Sequence, residues 1–355
     1  MLYSLDEICL IPALTSSIEH RKDTVIYDTH NKLPIFTAPM SCIIDTDNKD
    51  KFESAGINTI VPRSVNYNTR LQLLLEGHWV AFGFKEAESI YNTLESKNLT
   101  NKIKICIDQA NGHMKNLLDL CSRLKDKFGD HIRIMTGNIA NPNTYKCYAR
   151  AGVDYVRCGI GGGNACTTSV QTGMHYPMGS LIINCLEQKR QVIKEKELGA
   201  VYKTVPKIVA DGGFKRIDQI VKAIALGVDY VMLGEILAKT TEACGKTYYK
   251  DTLGNYNPST SKNNEYREYY GMSTEKAQII VNENSEFRTD EFVPKHSEGQ
   301  VRYTKISYTL NEWVSDFEHA LRSSMSYANA RTLKEYKGLV NYNYMTATSY
   351  NAYMK

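Results

Sequence analysis

Short apolar segments that alternate with helical segments restrict the fold of this chain more than any other feature of its sequence. Eight of them are rich in β-branched residues and mostly continuous in hydrophobicity, as expected of parallel strands covered on both faces. These predicted strands are Pro34–Pro39, Ile57–Val61, Trp79–Phe84, Lys104–Asp108, Arg133–Gly137, Tyr155–Gly159, Lys207–Asp211 and Tyr230–Gly234.

The segments between the strands have helical character, and an eighth helix follows late in the chain. We predict helices at Lys49–Ala55, Thr69–Leu75, Lys85–Leu94, Met114–Phe128, Asn143–Ala151, Ser180–Lys196, Lys215–Leu226 and Leu310–Ser326. Two of them run into the same pattern, Gly-Val-Asp-Tyr-Val at 152–156 and 227–231, in which the glycine suits a helix C-terminus. Repeated β/α units predict an α/β fold, a closed (β/α)8 TIM barrel, in preference to an open doubly wound sheet. We expect one barrel domain over residues 1–355.

A long segment, 238–309, separates the eighth strand from the eighth helix and is rich in Asn, Ser, Lys and Tyr. Its first part, 246–272, predicts a β-hairpin that turns at Gly254 or Pro258. Its second part, 282–303, has little periodicity and predicts a mobile flap. Because barrels carry their chemistry at the C-terminal ends of the strands, we expect this insertion to overhang the active site.

Charge and hydropathy exclude several classes of protein. The 43 Lys and Arg residues against 39 Asp and Glu give a net charge of +4, and the charges are scattered, so a nucleic-acid partner is not expected. The longest apolar stretches are strand-sized and too short to cross a membrane. The N-terminus lacks the basic start of a secretory signal, so we expect a cytoplasmic protein.

The nine cysteines occur singly, with no Cys-x-x-Cys spacing, which disfavours disulfide frameworks and zinc ribbons. Most of them should be core residues, because a free cysteine behaves as a small hydrophobic residue. Any cysteine with a chemical role must therefore be distinguished by its surroundings.

If the barrel forms, the residues that follow its strands meet at one end, and here many of them are polar or glycine. The sixth strand is followed by a glycine-rich loop and then by Cys166, Thr167 and Thr168. Such a loop alone is as consistent with a plain surface connection as with anion binding. The thiol directly behind it, beside two hydroxyls, favours a nucleophile. Similarly, Asp211-Gly212-Gly213 fits either a tight turn or a carboxylate beside phosphate-binding amides.

Several of these segments together resemble the IMP dehydrogenase/GMP reductase family. In chain order they read YSLDEICLIP, GIGGGNACTT, VADGG, YVMLGE, YYGMS, HSEG and LRSSMSYANARTLKEY. The motifs are long, ordered and spread over nearly the whole chain, so the resemblance is specific. It implies an oxidoreductase that acts on a purine mononucleotide.

Within the family the chain most resembles the GMP reductase branch. Dehydrogenases usually carry a pair of CBS modules after an early barrel helix, and the predicted strands here lie too close together for such an insertion. The segments IDQANGH at 107–113 and GMSTEKA at 271–277 are similar to reductase segments. The Arg-Tyr pair of the dehydrogenase flap has no counterpart in Phe287-Arg288-Thr289.

The resemblance implies NADPH-dependent reductive deamination of GMP, or of a closely related purine nucleotide, to IMP and ammonia. Cys166 would form an adduct at purine C2, and Thr168 and Glu298 would transfer protons. The substrate-binding residues implied are Met40, Arg63, Asn164, Asp211, Gly212, Gly213, Gly234, Glu235, Gly271, Met272 and Ser273. Those implied for the cofactor are Asp108, Ala110, Asn111, Gly112, Gly137 and Asn138. The family further suggests a homotetramer and a monovalent cation, K⁺, on the backbone carbonyls of Gly161, Gly163 and Cys166.

Two positions depart from the family pattern where the substrate phosphate is expected. Asn164 replaces a serine that commonly contacts phosphate, and Glu235 replaces a glycine or serine. A carboxylate beside a phosphate dianion is repulsive unless it turns away or is neutralised. Two alternatives therefore stay open. One is an IMP dehydrogenase without CBS modules that converts IMP to XMP with NAD, and the other is a divergent member that acts on or senses another purine nucleotide.

Overall fold

A curled sheet of seven parallel strands forms the centre of the computed structural model, which describes residues 1–97, 99–259 and 265–353. The strands of the chain are β1 (Ile8–Leu10), β2 (Ile35–Thr37), β3 (Trp79–Phe82), β4 (Ile103–Asp108), β5 (Ile132–Ile139), β6 (Tyr155–Cys158), β7 (Lys207–Asp211), β8 (Tyr230–Leu233), β9 (Thr247–Lys250), β10 (Tyr256–Pro258), β11 (Tyr266–Tyr270), β12 (Val301–Lys305) and β13 (Tyr342–Tyr344). The central sheet has the order β2-β8-β7-β6-β5-β4-β3, with every neighbouring pair parallel.

The predicted strand at 57–61 closes this sheet into a barrel, although it forms isolated bridges instead of a continuous ladder. Asn58 is bridged to β2, where its carbonyl accepts a hydrogen bond of 2.9 Å from the Thr37 N–H. Val61 is bridged to β3, and its N–H donates to the Trp79 carbonyl at 2.9 Å. Between them the Ile60 N–H donates to the Thr37 hydroxyl at 3.0 Å, so a side chain interrupts the ladder. The predicted (β/α)8 architecture is confirmed.

All eight predicted helices are present, with ends within two residues of those predicted. The helices are α1 (Lys49–Ser54), α2 (Tyr67–Leu75), α3 (Phe84–Glu95), α4 (Lys115–Phe128), α5 (Thr144–Ala151), α6 (Thr168–Thr172), α7 (Met178–Glu197), α8 (Ile217–Leu226), α9 (Glu235–Ala238), α10 (Glu275–Glu283), α11 (Leu310–Tyr327), α12 (Leu333–Tyr336) and α13 (Ala347–Tyr353). Single 3₁₀ turns lie at Leu5–Glu7, Arg21–Asp23 and Gly129–His131. Within the described residues, no helix combines the length and the apolar character needed to cross a membrane.

The repeated Gly-Val-Asp-Tyr-Val pattern marks the same structural unit twice. Gly152 and Gly227 end their helices at φ of 87° and 121°, a region in which a side chain would be strained. Asp154 and Asp229 each accept a hydrogen bond from a backbone N–H of the preceding strand, at 2.9 and 2.8 Å. The aspartate therefore fixes each new strand to its neighbour as the helix ends.

Four aromatic rings close the end of the barrel at which its strands begin. Trp79, Tyr155 and Tyr230 are the first residues of β3, β6 and β8, and their rings surround that of Phe36 at centroid distances of 4.9 to 6.1 Å. Edge-to-face and tilted contacts of this kind are the favourable geometry for aromatic side chains. The barrel interior is therefore packed, and the opposite end is left for a ligand.

The insertion after β8 forms an antiparallel sheet, here called the accessory sheet, in the order β10-β9-β11-β12. The predicted hairpin is confirmed as β9 and β10, with the turn at Gly254, while residues 260–264 of the predicted segment lie outside the described residues. The sheet is larger than predicted, because β12 takes up residues 301–303 of the predicted flap and pairs with β11. Tyr303 stacks on Tyr256 at 4.2 Å, an aromatic contact that holds this strand in place. The flap itself is reduced to residues 284–300, where the structure has turns and bends.

A buried ion pair fastens α3 and the start of this flap to the barrel. Arg70 and Glu86 form two hydrogen bonds of 2.7 and 3.1 Å, with side-chain exposures of 0% and 4%. Ser285, just after α10, donates to the same Glu86 carboxylate at 2.9 Å. Burial raises the pKa of Glu86, but the hydrogen bonds and charge of Arg70 outweigh it, so that the pKa lies below its ordinary value.

We predict that Glu86→Gln lowers the free energy of unfolding by about 3–5 kcal/mol at pH 7, because it leaves the Arg70 charge buried and unpaired. The depressed pKa of Glu86 contributes stability above the ordinary glutamate pKa, and this contribution disappears as pH falls through the folded-state value. The difference between the two proteins should therefore shrink in acid. Urea denaturation at several pH values measures it. Glu88→Gln, on the same helix but in an exposed pair with Arg123, should cost at most about 1 kcal/mol. Equal losses in the two variants would contradict the prediction.

Candidate active site

A cavity of about 360 Å³ opens at the C-terminal ends of the barrel strands, the end predicted to carry the chemistry. Its walls come from the loops after seven strands and from the insertion. The lining residues are Ala38, Pro39, Met40, Arg63, Asp108, Gln109, Ala110, Asn138, Arg157, Gly159, Ile160, Gly161, Gly162, Gly163, Asn164, Ala165, Cys166, Thr168, Asp211, Gly212, Gly213, Phe214, Met232, Gly234, Glu235, Tyr269, Gly271, Met272 and Ser273. Most residues singled out from the sequence therefore share one cavity.

A chain of three polar side chains starts at the thiol in this cavity. The Cys166 Sγ donates to Thr168 Oγ1 at 3.2 Å, and Thr168 Oγ1 donates to Glu298 Oε2 at 2.7 Å. Cys166 and Thr168 lie in the loop after β6 and the first turn of α6, whereas Glu298 belongs to the flap. The arrangement gives a thiol proton a short path to a carboxylate.

Backbone hydrogen bonds hold the flap against the loop that carries the thiol. The Thr167 N–H donates to the Glu298 carbonyl at 2.9 Å, and the Gln300 N–H donates to the Ala165 carbonyl at 2.8 Å. Gly299 is also bridged to Cys166 in antiparallel fashion. A Cβ at Gly299 would lie 2.8 Å from Thr274 and 3.1 Å from the Ala165 carbonyl, so only glycine allows this approach. The position of Glu298 is therefore set by main-chain contacts on both sides.

The environment of Cys166 differs from that of most other cysteines. Cys42, Cys106, Cys121, Cys158 and Cys185 are buried, as predicted for core residues. Burial raises the pKa of Cys42 and of Cys106 to about 12, which keeps them as inert thiols at neutral pH. Cys166 is half-buried, lines the cavity and contacts a hydroxyl.

One buried arginine organises the opposite wall. Arg157, on β6, donates to Asp211 Oδ2 through Nε and Nη2 at 3.1 and 2.8 Å and to Asp108 Oδ1 through Nη1 at 2.5 Å. Asn138 also donates to Asp211 Oδ2, at 2.7 Å. The Arg157 charge is 6% exposed, so its two carboxylates compensate it almost entirely. Although burial lowers the pKa of Arg157, Asp211 and Asp108 raise it above the ordinary arginine value.

Sequence reasoning missed Arg157. Its signal was a charged residue in the middle of an otherwise apolar buried strand, because such a residue needs an oppositely charged partner inside the fold. The ends of β4 and β7 supply the partners, Asp108 and Asp211. Tyr269, also missed, covers the cavity from the insertion, and its hydroxyl lies so close to Gly234 that a Cβ there would approach it to 2.8 Å.

The glycine-rich loop and the Asp-Gly-Gly turn pack directly on each other. A Cβ at Gly213 would lie 2.9 Å from the Gly162 carbonyl, and Gly213 has φ of 84°, so both space and backbone conformation require glycine. This close approach brings the main chains after β6 and β7 to one corner of the cavity. Gly234, at the end of β8, borders the same cavity.

Glu235 and Asn164, the two departures from the family pattern, contact each other. The Asn164 side-chain amide donates to Glu235 Oε2, and the Thr304 hydroxyl donates to Oε1 at 3.4 Å. The nearest ion-pair partner is Lys239, at 3.7 Å and 30% exposed. The carboxylate is therefore hydrogen-bonded but only weakly neutralised.

Three residues predicted for the cofactor lie beside the cavity and not on its lining. Asn111 is exposed, and its side chain accepts a hydrogen bond of 3.0 Å from the His113 N–H. Gly112 and Gly137 are packed against main chain, where a Cβ would meet Asn138 O at 2.7 Å and Arg157 O at 2.5 Å respectively. Asp108, Ala110 and Asn138 do line the cavity.

The loop suggested for a monovalent cation is already hydrogen-bonded within itself. The Gly163 carbonyl accepts the Cys166 N–H at 3.0 Å, and the Gly161 carbonyl accepts the Ser169 hydroxyl at 3.3 Å. Each of these two carbonyls therefore has one of its two acceptor positions occupied. Within the described residues, no cluster of three His, Cys, Asp or Glu side chains forms a metal site.

The family assignment rests on a direct match. Residues 90–352 match the family model described as the IMP dehydrogenase / GMP reductase domain. This stretch covers well over half of the chain, so the chain belongs to the IMP dehydrogenase/GMP reductase family, as the sequence motifs indicated. Members of the family are oxidoreductases that act on purine nucleotides with a nicotinamide cofactor.

Both IMP dehydrogenases and GMP reductases are among the proteins similar to this chain. An inosine-5′-monophosphate dehydrogenase of Chlorobaculum parvum is 30% identical over 240 residues, which cover 66% of this chain and 43% of that protein. A GMP reductase of Aliivibrio fischeri is 29% identical over 272 residues, covering 74% of this chain and 67% of the relative. A GMP reductase of Vibrio parahaemolyticus is 27% identical over 320 residues, which cover 85% of this chain and 80% of that protein. The chain thus spans less than half the length of the dehydrogenase and most of the length of the reductases.

We predict that Arg157→Met lowers the free energy of unfolding by about 3–5 kcal/mol at pH 7, because Asp108 and Asp211 then face each other without a cation. Chemical denaturation followed by circular dichroism measures the loss. Arg190→Met, which removes an exposed arginine paired with Glu187, should change it by less than about 1 kcal/mol. A wild-type unfolding curve for Arg157→Met would show that the guanidinium is not what holds this wall together.

Proposed function

We propose that the protein catalyses reductive deamination at C2 of a guanine ring, with NADPH as reductant, as in the conversion of GMP to IMP and ammonia. The contact chain from Cys166 through Thr168 to Glu298 is the observation that carries this proposal. It provides a nucleophile, a hydroxyl able to pass a proton, and a carboxylate able to hold one. The family membership supports the reaction class.

The side chains of this cavity suit each step of the reaction. The Cys166 proton passes through the Thr168 hydroxyl to Glu298, and the thiolate attacks purine C2. Glu298 then returns the proton along the same path to the departing amino group, which leaves as ammonia. Hydride addition at C2 followed by loss of the thiolate completes the exchange of amine for hydrogen. The proton acceptor and the proton donor are thus one carboxylate in two states.

The substrate would be oriented by the wall opposite the thiol. Asp211 has one oxygen, Oδ2, engaged by Arg157 and Asn138, which fixes the carboxylate and leaves Oδ1 to accept from ribose hydroxyls. Met40, Met272 and Ser273 line the cavity around the space for the base. The Gly212-Gly213 turn and Gly234 would border the 5′ end of the ribose.

The residues at the ends of β4 and β5 suit a nicotinamide. Asp108, Ala110 and Asn138 share the cavity with Cys166, and Arg63 presents a buried Nε that has no hydrogen-bond partner among the described residues. An unpaired buried donor at a cavity wall calls for an acceptor on a ligand. When bound, NADPH supplies the hydride. These residues would hold its ring against the substrate, with the Arg63 donor free for an acceptor on either ligand.

The dehydrogenase reaction is the second candidate, because relatives of that name match a similar share of the chain. It would oxidise IMP to XMP with NAD and needs a group that activates water for hydrolysis of the adduct. Arg288 of the flap is paired with Asp290 on the surface, and Tyr303 packs among the tyrosines of the accessory sheet. These positions favour the reductase.

Further parts of the proposal come from the family alone. These are a homotetramer and dependence on K⁺; a single barrel domain without CBS modules and a cytoplasmic location are proposed from the sequence itself. The reaction steps above depend on none of them.

The reaction is tested by incubating the purified protein with NADPH and either GMP or guanosine and following NADPH absorbance and ammonia release. We expect turnover with at least one of them and none in Cys166→Ala. NADH formation from IMP and NAD, without the reductive reaction, would assign the chain to the dehydrogenase branch instead.

We predict that Glu298→Gln lowers kcat about 10²–10⁴-fold with little change in KM, because the amide keeps the hydrogen bond to Thr168 but cannot take up a proton. Steady-state kinetics on the substrate that is turned over measures this. Glu291→Gln, an exposed change in the same flap, should leave both constants unaltered. A kcat for Glu298→Gln above a tenth of the wild-type value would remove Glu298 from the proton path.

A further inference from the structure

We propose that the site selects a guanine nucleoside, with a free 5′-hydroxyl, over the corresponding 5′-phosphate. The inference rests on the proposed function, which places the 5′ end of the ribose beside Gly213 and Gly234. It concerns the two residues of this chain, Asn164 and Glu235, that form the wall of that corner.

Glu235 is the first residue after the Gly234 backbone and lines the cavity. Its side chain is 20% exposed, so water screens the carboxylate only in part. The Tyr269 hydroxyl lies between Gly234 and Met40 on the same side, within reach of the Glu235 charge. A 5′ substituent in this corner would therefore lie against a carboxylate as well as against main-chain N–H groups.

The hydrogen bonds of Glu235 hold its carboxylate in this position and engage the two side-chain donors that contact it. The Asn164 side-chain amide donates a hydrogen bond to Oε2, and the Thr304 hydroxyl donates one to Oε1. Thr304 is 7% exposed in the accessory sheet, which restricts movement of Glu235 on that side. The weak ion pair with Lys239 at 3.7 Å does not cancel the charge.

The remaining charges of the cavity do not compensate. Among the described residues on its lining, the cations are Arg63 and Arg157 and the anions are Asp108, Asp211 and Glu235. Arg157 is fully used by Asp108 and Asp211. Arg63 follows the segment 57–61 and lies beside Gly83 at the end of β3, and β2 lies between that segment and β8. No cation on the lining is therefore free to neutralise a dianion beside Glu235.

A 5′-hydroxyl suits this corner for the same reasons that a phosphate does not. A hydroxyl can donate a hydrogen bond to the carboxylate, which has only acceptors, and carries no charge to repel it. A phosphate dianion offers only acceptors and two negative charges. Glu235 thus acts as a specificity-determining residue, and Asn164 positions it.

The test compares kcat/KM for guanosine and GMP in the wild type, Glu235→Gln, Glu235→Ser and the exposed control Glu291→Gln. We expect the wild type to favour guanosine about 100-fold or more, since charge repulsion at contact distance reaches that size. Glu235→Gln and Glu235→Ser should raise kcat/KM for GMP at least about tenfold and lower it for guanosine, whose 5′-hydroxyl loses its charged acceptor, and Glu291→Gln should match the wild type. A wild-type preference for GMP, or a preference that neither Glu235 variant alters, overturns the inference.

A binding measurement separates failure of this inference from failure of the proposed function. Thermal shifts of the wild type and Glu235→Gln are recorded with guanosine and GMP, inosine and IMP, and adenosine and AMP. Stronger stabilisation by the nucleosides, reversed or abolished in Glu235→Gln, supports the inference even if no NADPH is consumed. Stronger stabilisation of the wild type by the monophosphates, or no stabilisation by any purine, overturns it.

Discussion

A single buried guanidinium connects the strand ends on which this site depends. Arg157 on β6 reaches Asp108 at the end of β4 and Asp211 at the end of β7, and Asn138 of β5 shares the Asp211 oxygen. Four neighbouring strands are thus joined by side-chain hydrogen bonds at their C-terminal ends, in addition to their backbone ladders. Because a buried charge is tolerated only with its partners in place, the wall opposite Cys166 is ordered before any ligand arrives.

The barrel could be predicted from the sequence because each pattern that indicates it involves only a few neighbouring residues. Continuous apolar runs, helical segments of ordinary length and two matching Gly-Val-Asp-Tyr-Val turns each report a few neighbouring residues. The strand at 57–61 shows the limit of this kind of reasoning. Its hydrophobicity is that of a full strand, yet the Thr37 hydroxyl takes one of its N–H groups and leaves only bridges. The accessory sheet was underestimated, because the stacking of Tyr303 on Tyr256 unites segments far apart in the chain.

The candidate site was accessible only in part, and the missing parts are contacts between distant residues. Cys166 and Thr168 are only two residues apart in sequence, but Glu298 lies 130 residues beyond Thr168, and family resemblance alone placed the three together. Asn164 and Glu235 looked like two separate anomalies, whereas 71 residues apart they form one hydrogen-bonded pair. Arg157 was not predicted as a site residue because the strand was identified by its apolar residues, and the one charged residue within it was not considered separately.

The groups proposed to react lie on two parts of the fold, which are joined by backbone contacts between the flap and the glycine-rich loop. The proposed nucleophile, Cys166, belongs to the barrel, and the carboxylate proposed to take its proton, Glu298, belongs to the insertion, which is joined to the barrel at Ala165 and Thr167. These contacts keep the Glu298 carboxylate within hydrogen-bond distance of the Thr168 hydroxyl, whereas Thr304, the partner of Glu235, is held separately by the pairing of β12 with β11. The proposed proton path therefore exists only while the insertion is docked on the barrel, because one of its three groups comes from the insertion.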